Sequence, residues 1–403
     1  MSEIKVENKN VEKKESSLES IRKSLKVNMK NYTMFIALIF IGLLFTVLTR
    51  GIFFTSRNLS NLLLQTAYVA IVACGMLLVI VIGHIDLSVG SICGFTGAIA
   101  AMLQVNYGWP TVPVIIVTLL VGFLAGAWQG AWVAYGGLPG FVVTLGGWLL
   151  FRGLVIGVTK GQTIAPLHDS FTAIGQGYLP SFVPNSSVNY TSILVAVIAI
   201  VAYVFFQSKS RKSRQTYGFE IEPAGVYFAK TIAVSVIIAL FFLITILYMG
   251  IPYSILIVIG LVLLFVFITN KTSFGRYVYA IGGNKEAARL SGINIKRTTM
   301  LVFIIIGVLS AVSGLVFTAR LDSATASAGN LLEMDAIAAC YIGGASTLGG
   351  EGTIIGAMIG ALIMSTINNG MSLLNASTTW QYVVKGLILM LAVFIDFATR
   401  KKK

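Results

Sequence analysis

The apolar residues of this chain fall into runs of roughly 18–25, with few charges inside them. Wound as an α-helix, a run of that length spans about 30 Å of hydrocarbon. In a bilayer every peptide group must find its hydrogen bond within the protein, which only helices and closed barrels achieve. A barrel would show short segments of alternating polarity, and none stands out. Composition agrees. Of 403 residues, 56% are hydrophobic and only 11% charged, about half the charge of a soluble domain. The fold class that follows is all-α: a polytopic transmembrane helical bundle of about 10–12 spans.

Hydropathy places candidate spans at 33–49, 61–83, 88–106, 112–136, 141–159, 191–206, 229–249, 251–269, 299–319, 333–348, 352–375 and 380–397. The fifth and tenth are rich in glycine, which suggests broken or re-entrant segments. Residues 1–31 form a polar tail. Its Leu18, Ile21 and Leu25, among Arg22, Lys23 and Lys26, give one apolar face that suits either a membrane surface or a solvated tail. Residues 32–403 then read as one membrane domain.

Lys and Arg orient these spans. The tail holds eight, loop 207–230 five, loop 270–298 six and the C-terminal end four, so 23 of 29 lie in four segments. With twelve spans all four fall on one side, which the positive-inside rule makes cytoplasmic. Both termini are then cytoplasmic, and loop 160–190, with Pro166, Pro180 and Pro184, is the main external feature. The net charge of +14 is thus a membrane signature and not a nucleic-acid one.

Several chemistries find no support. There is no GxxxxGK[ST], so the chain has no nucleotide-binding loop of that type, and no HExxH or GxSxG. Cys74, Cys93 and Cys340 sit inside apolar runs and read as packing residues. His84 and His168 are far apart without acidic neighbours, so a metal site is not expected.

The most informative segment is the loop from Thr272 to Asn294. It contains a short helix with its own punctuation. Asn284 is a good N-cap, Glu286 lies in the first turn, Arg289 in the last, and Gly292 supplies the stop. Ala287 and Ala288 give it a small-residue surface. So short a helix is unstable alone in water. It must pack either on this protein's own helix ends or in a groove of a partner.

The run from Gly282 to Asn294 resembles the coupling loop of the ribose/xylose-type sugar permeases of bacterial ABC importers. The segments Ile85–Gly90, Pro139–Leu145, Phe151–Gly153, Leu332–Ala339, Ile342–Gly350 and Trp380–Gly386 are similar too, in order from about residue 33 to the end. The resemblance implies a permease subunit that translocates a monosaccharide across the cytoplasmic membrane and is not itself an enzyme. It implies a second permease copy, cytoplasmic ATP-binding subunits that consume the ATP, and an extracytoplasmic sugar-binding protein. It implies that this chain binds no cofactor. The coupling residues would be Gly283, Asn284, Glu286, Ala287, Ala288, Arg289, Ser291 and Gly292. Shorter ribose-type permeases lack most of the stretch from about 209 to 250. The basic insert Ser208–Arg214 with its added span resembles the xylose branch instead.

A charge at a helix centre costs about 2.5–3.5 kcal/mol on insertion scales, so each needs a reason. Asp86 ends a span, either as a gate or as the cap of the next helix with help from Ser88. Arg152 should face the bundle interior or snorkel. Lys385, one turn into the last span, suits snorkelling. Glu333 and Asp335 would start a span on the external side, capping it or helping to dock a binding protein. Gln65, Thr66, Gln129, Asn368 and Asn369 suit a path for a neutral sugar or glue between helices. The alternative of another class is an ion-coupled secondary transporter with Asp86 as its coupling site.

Overall fold

The computed structural model describes residues 29–183, 188–219 and 223–400. The apolar face expected at Leu18, Ile21 and Leu25, and Pro184, lie outside the described residues. Among those described, the chain is helical throughout, with no strand beyond two isolated bridges. Fifteen α-helices follow one another. They are α1 (Met29–Leu48), α2 (Ser56–Val81), α3 (Val89–Val105), α4 (Thr111–Ala134), α5 (Gly140–Thr159), α6 (Asp169–Gln176), α7 (Tyr190–Thr216) and α8 (Ala224–Ile246). Then come α9 (Tyr253–Lys271), α10 (Ser273–Gly283), α11 (Lys285–Leu290), α12 (Ile295–Leu321), α13 (Leu332–Ile342), α14 (Ile354–Leu373) and α15 (Thr378–Arg400). Nine of the described helices are long and apolar enough to cross a membrane, so the protein is multi-pass.

Of the two glycine-rich spans expected to be broken or re-entrant, one is broken. The fifth expected span is an unbroken helix, α5. Gly146, Gly153 and Gly157 stay helical in open space, since glycine within an apolar helix does not by itself interrupt the ladder. The third matches α3 to within a residue at each end, and the connection expected before it, between spans ending at 83 and starting at 88, is the non-helical run 82–88. The tenth is broken as its glycines suggested. Helix α13 ends at Ile342, and a turn through Gly343, Gly344, Gly349 and Gly350 leads to α14.

Two chain segments share one plan. A long helix is followed by a non-helical connection, a short helix and two further helices: α2, 82–88, α3, α4, α5, and later α12, 322–331, α13, α14, α15. The packing repeats as well. Helix α12 lies against α3 and α4, α2 lies against α13 and α14, and α2 and α12 lie against each other. They run in opposite directions, because the start of α2 meets the end of α12: Arg320 Nη2 donates to Asn61 Oδ1 at 2.9 Å. The segments are thus related as an inverted repeat.

Small residues make this packing possible. Gly356 and Gly360 of α14 press against the Gly343 and Ala339 carbonyls of α13, leaving no room for a Cβ. Helix α2 is the central element, with 89% of its apolar window buried, whereas α15, α7 and α8 (0%, 11% and 17%) face outward. Helices α10 and α11 sit on the face where α2 ends and α12 begins.

Candidate functional site

The two non-helical connections lead the short helices α3 and α13 to meet inside the bundle. Gly90, in the first turn of α3, touches the Glu333 carboxylate and the Gly329 carbonyl at the start of α13. Each helix N-terminus carries unpaired N–H groups and partial positive charge, so carboxylates gather there. Asp86 is fully buried. Its Oδ1 accepts from the Ser88 N–H at 2.8 Å and the Ser88 hydroxyl at 2.6 Å. Ser88 Oγ in turn accepts from Gln129 Nε2 of α4 at 2.7 Å, and Thr144 of α5 donates to the Ile85 carbonyl at 3.1 Å. Two helices, α4 and α5, therefore hold the 82–88 connection.

The second start is held by cations. Arg152 of α5 faces the interior and donates through Nη1 to the carbonyls of Ala328 (2.8 Å) and Ala326 (3.3 Å). Lys385 does not snorkel: its Nζ meets Asp335 Oδ2 at 2.9 Å, with both side chains almost wholly buried. Asn368 Nδ2 donates to the same oxygen at 2.9 Å. Glu333 and Asp335 are 3% and 4% exposed in the first turn of α13, so of the two readings they sit where a helix N-terminus favours negative charge and offer no surface for docking. The non-helical connection 322–331 carries the start of α13, and them with it, inward instead. Asp86 Oδ2, Gln129 Oε1, Glu333 Oε2 and Asp335 Oδ1 are buried without a hydrogen-bond partner among the described residues.

The residues that sequence reading offered as a path fall into separate places. Asp86 and Ser88 form one cluster with Gln129, and Asn368 joins the Lys385–Asp335 pair. Asn369 and Asn58 exchange hydrogen bonds of 2.9 and 3.1 Å, clasping α14 to α2. Thr66 bonds back to the Leu62 carbonyl. Gln65 is half-buried on α2 and makes no side-chain hydrogen bond among the described residues. The ion pair at Lys385 went unread. Its signal was available: a lysine one turn into an apolar span, with a carboxylate in another, calls for a pairing test before snorkelling.

The second candidate surface is built by α10 and α11. Asn284 caps α11, its Oδ1 accepting from the Ala287 N–H at 2.9 Å, and Gly292 ends the turn at φ +80°. Glu286 and Arg289 pair at 3.0 Å, and Ser291 donates to the Ala287 carbonyl at 2.9 Å. Ala288 is buried in the core while Leu290 is 82% exposed. The helix therefore rests on its own protein through one side and presents Leu290, Glu286 and Arg289 on the other. Its anchor reaches the end of α2 and the turn between α13 and α14. Gly282 lies on the Val81 carbonyl, that carbonyl accepts from Gly350 N–H at 2.9 Å, and Tyr279 Oη donates to the Gly352 carbonyl at 2.7 Å. Gly283, beside it, faces open space.

Residues 58–393 match the family model described as the branched-chain amino acid transport system permease component. The chain belongs to this permease family. It is similar to the xylose transport system permease protein XylH of Haemophilus influenzae, 45% identical over 93% of this chain and 98% of that protein. The Escherichia coli K12 protein of the same name is 46% identical over 93% of this chain and 94% of its own length. The ribose import permease protein RbsC of Haemophilus influenzae is 35% identical, covering 92% and 94%. No solved structure matches. As a member of this family the permease is a transport subunit and not an enzyme.

Proposed function

We propose that this permease is the membrane subunit of an ABC importer that carries a monosaccharide, xylose, inward across the cytoplasmic membrane. The substrate reading rests on the two xylose permeases, which are more similar to this chain than the ribose permease is. The mechanism rests on one observation: α10, which leads into the exposed α11, touches the end of α2 and the turn between α13 and α14 through Val81, Gly282 and Gly350.

In this reading both termini and the basic loops lie in the cytoplasm, in accord with the positive-inside rule. ATP-binding subunits grip Leu290, Glu286 and Arg289 and consume the ATP. Their closure moves α11 and α10, and the Val81–Gly350 junction passes that displacement to the 82–88 connection and to the turn after α13. The starts of α3 and α13 then part or close. A second permease copy completes the path, and a sugar-binding protein delivers the cargo from outside.

The test is reconstitution with the ATPase and binding-protein subunits, following radiolabelled xylose uptake and ATP turnover. Leu290→Asp is expected to abolish uptake and the stimulation of ATP turnover by loaded binding protein, while the protein still inserts and purifies. Normal values for both would overturn the coupling role. Ribose uptake exceeding xylose uptake would overturn the substrate reading.

One observation favours the ion-coupled reading: buried Asp86 has an oxygen with no partner among the described residues. Proteoliposomes holding this chain alone separate the two. Xylose accumulation driven by a proton or sodium gradient would favour the secondary transporter.

A further inference from the structure

Helices α7 and α8 pack mainly on each other at the rim of the bundle and leave a groove between them of about 740 Å³. Its α7 wall runs from Ile200 and Val204 through Ser208 to Arg211, Lys212 and Gln215. These positions recur every three or four residues, so they form one helix face. The α8 wall runs from Ala239 and Val236 up to Phe228 and Tyr227. The deep end is thus apolar and the mouth polar. Along α7 the groove is about 22 Å deep, close to half of the roughly 40–45 Å of a bilayer with its headgroups. The mouth is a built arrangement. Arg211 stacks over the Tyr227 ring at 4.5 Å, and the Tyr227 hydroxyl lies 3.1 Å from Ser208 Oγ. The sequence around the mouth holds five cations, Lys209, Arg211, Lys212, Arg214 and Lys230, against two carboxylates, Glu220 and Glu222.

We infer that this groove binds an anionic phospholipid. One acyl chain lies between Val204 and Val236, and the phosphate sits at Arg211, Lys212 and the two hydroxyls. Charge and depth select that occupant. A zwitterionic lipid would gain less from two cations, and a soluble phosphate would leave the apolar wall uncovered. A basic pocket between membrane helices is a known form of headgroup recognition. The site is independent of what the permease carries.

The test titrates the purified full chain, stripped of lipid in detergent, with dioleoyl-phosphatidylglycerol and with dioleoyl-phosphatidylcholine, read by native mass spectrometry. The phosphatidylglycerol is expected to bind more tightly. Arg211→Gln with Lys212→Gln should weaken it about 25-fold, about fivefold per cation, and leave phosphatidylcholine unchanged. Ser235→Trp, which fills the groove without altering charge, should weaken both. Lys209→Gln with Arg214→Gln, on the same basic stretch but outside the groove lining, should leave binding within about threefold. An equal loss in that control pair would mean diffuse attraction and overturn the site. Undiminished binding in Ser235→Trp, or displacement of the lipid by glycerol 3-phosphate at equal concentration, would overturn it too. So would loss of a second copy of the chain, instead of lipid, in the Arg211/Lys212 variant.

Discussion

At the scale of single residues, the interior is governed by charges that neutralise one another. The Lys385 and Asp335 side chains are mostly buried, and a buried ion pair is costly to break by halves. Lys385→Met leaves Asp335 with only the Asn368 amide, and should destabilise the permease by about 3–5 kcal/mol. Asp335→Leu with Lys385→Met removes both charges and should recover most of that loss. Thermal unfolding in detergent measures both. Equal destabilisation in the single and double variants would show that packing, and not charge, dominates there. Glycine carries the complementary lesson. Gly360 lies directly on the Ala339 carbonyl, so Gly360→Val forces α14 off α13 and should abolish recovery of folded protein, read by size-exclusion of a fluorescent fusion.

Among helices, function concentrates at ends. Helix α11 is only six residues long, too short to persist alone, and it holds its shape through Asn284, Gly292 and the buried methyl of Ala288. Gly292→Val requires φ +80° of a β-branched residue, at a cost of about 1–2 kcal/mol. It should slow coupled xylose uptake while leaving insertion intact, as should Glu286→Ala to a smaller degree. This element was legible in the sequence because its punctuation is local: cap, charges and stop lie within nine positions. The breaks in the spans were not equally legible. Composition flagged α5 and α13 alike, and only α13 breaks, since α5 is never pressed by a neighbouring backbone at its glycines. The non-helical run before α3 was placed by hydropathy, but what holds it was not, because Asp86 and Ser88 bind one another and Gln129 comes from a helix 41 residues away. A pairing at that distance leaves no periodicity to read.

For the whole molecule, the all-helical, multi-pass character was readable from hydropathy, because the bilayer imposes it; nine of the described helices are long and apolar enough to cross, against the 10–12 spans expected. The inverted repeat was not, since it is a property of packing and its two segments share plan rather than residues. Orientation is open to direct measurement. All three native cysteines are buried, so a membrane-impermeant maleimide should report on introduced sites alone. Cysteine at Gly161 should label in intact cells, and cysteine at Ser213 only after lysis. The reverse pattern would turn the whole topology over.

Consider finally the junction of Val81, Gly282 and Gly350. On the proposed coupling role, three peptide groups there join the element that would receive force to both segments that would close the interior. A lever and a seal that share one bearing cannot be adjusted separately. A substitution that loosens the joint should make the membrane leaky to sugar and the motor unresponsive together, and one that stiffens it should improve tightness at the expense of speed. Transport rate and leak rate, measured across a series of variants at Gly282, are therefore expected to fall on a single curve.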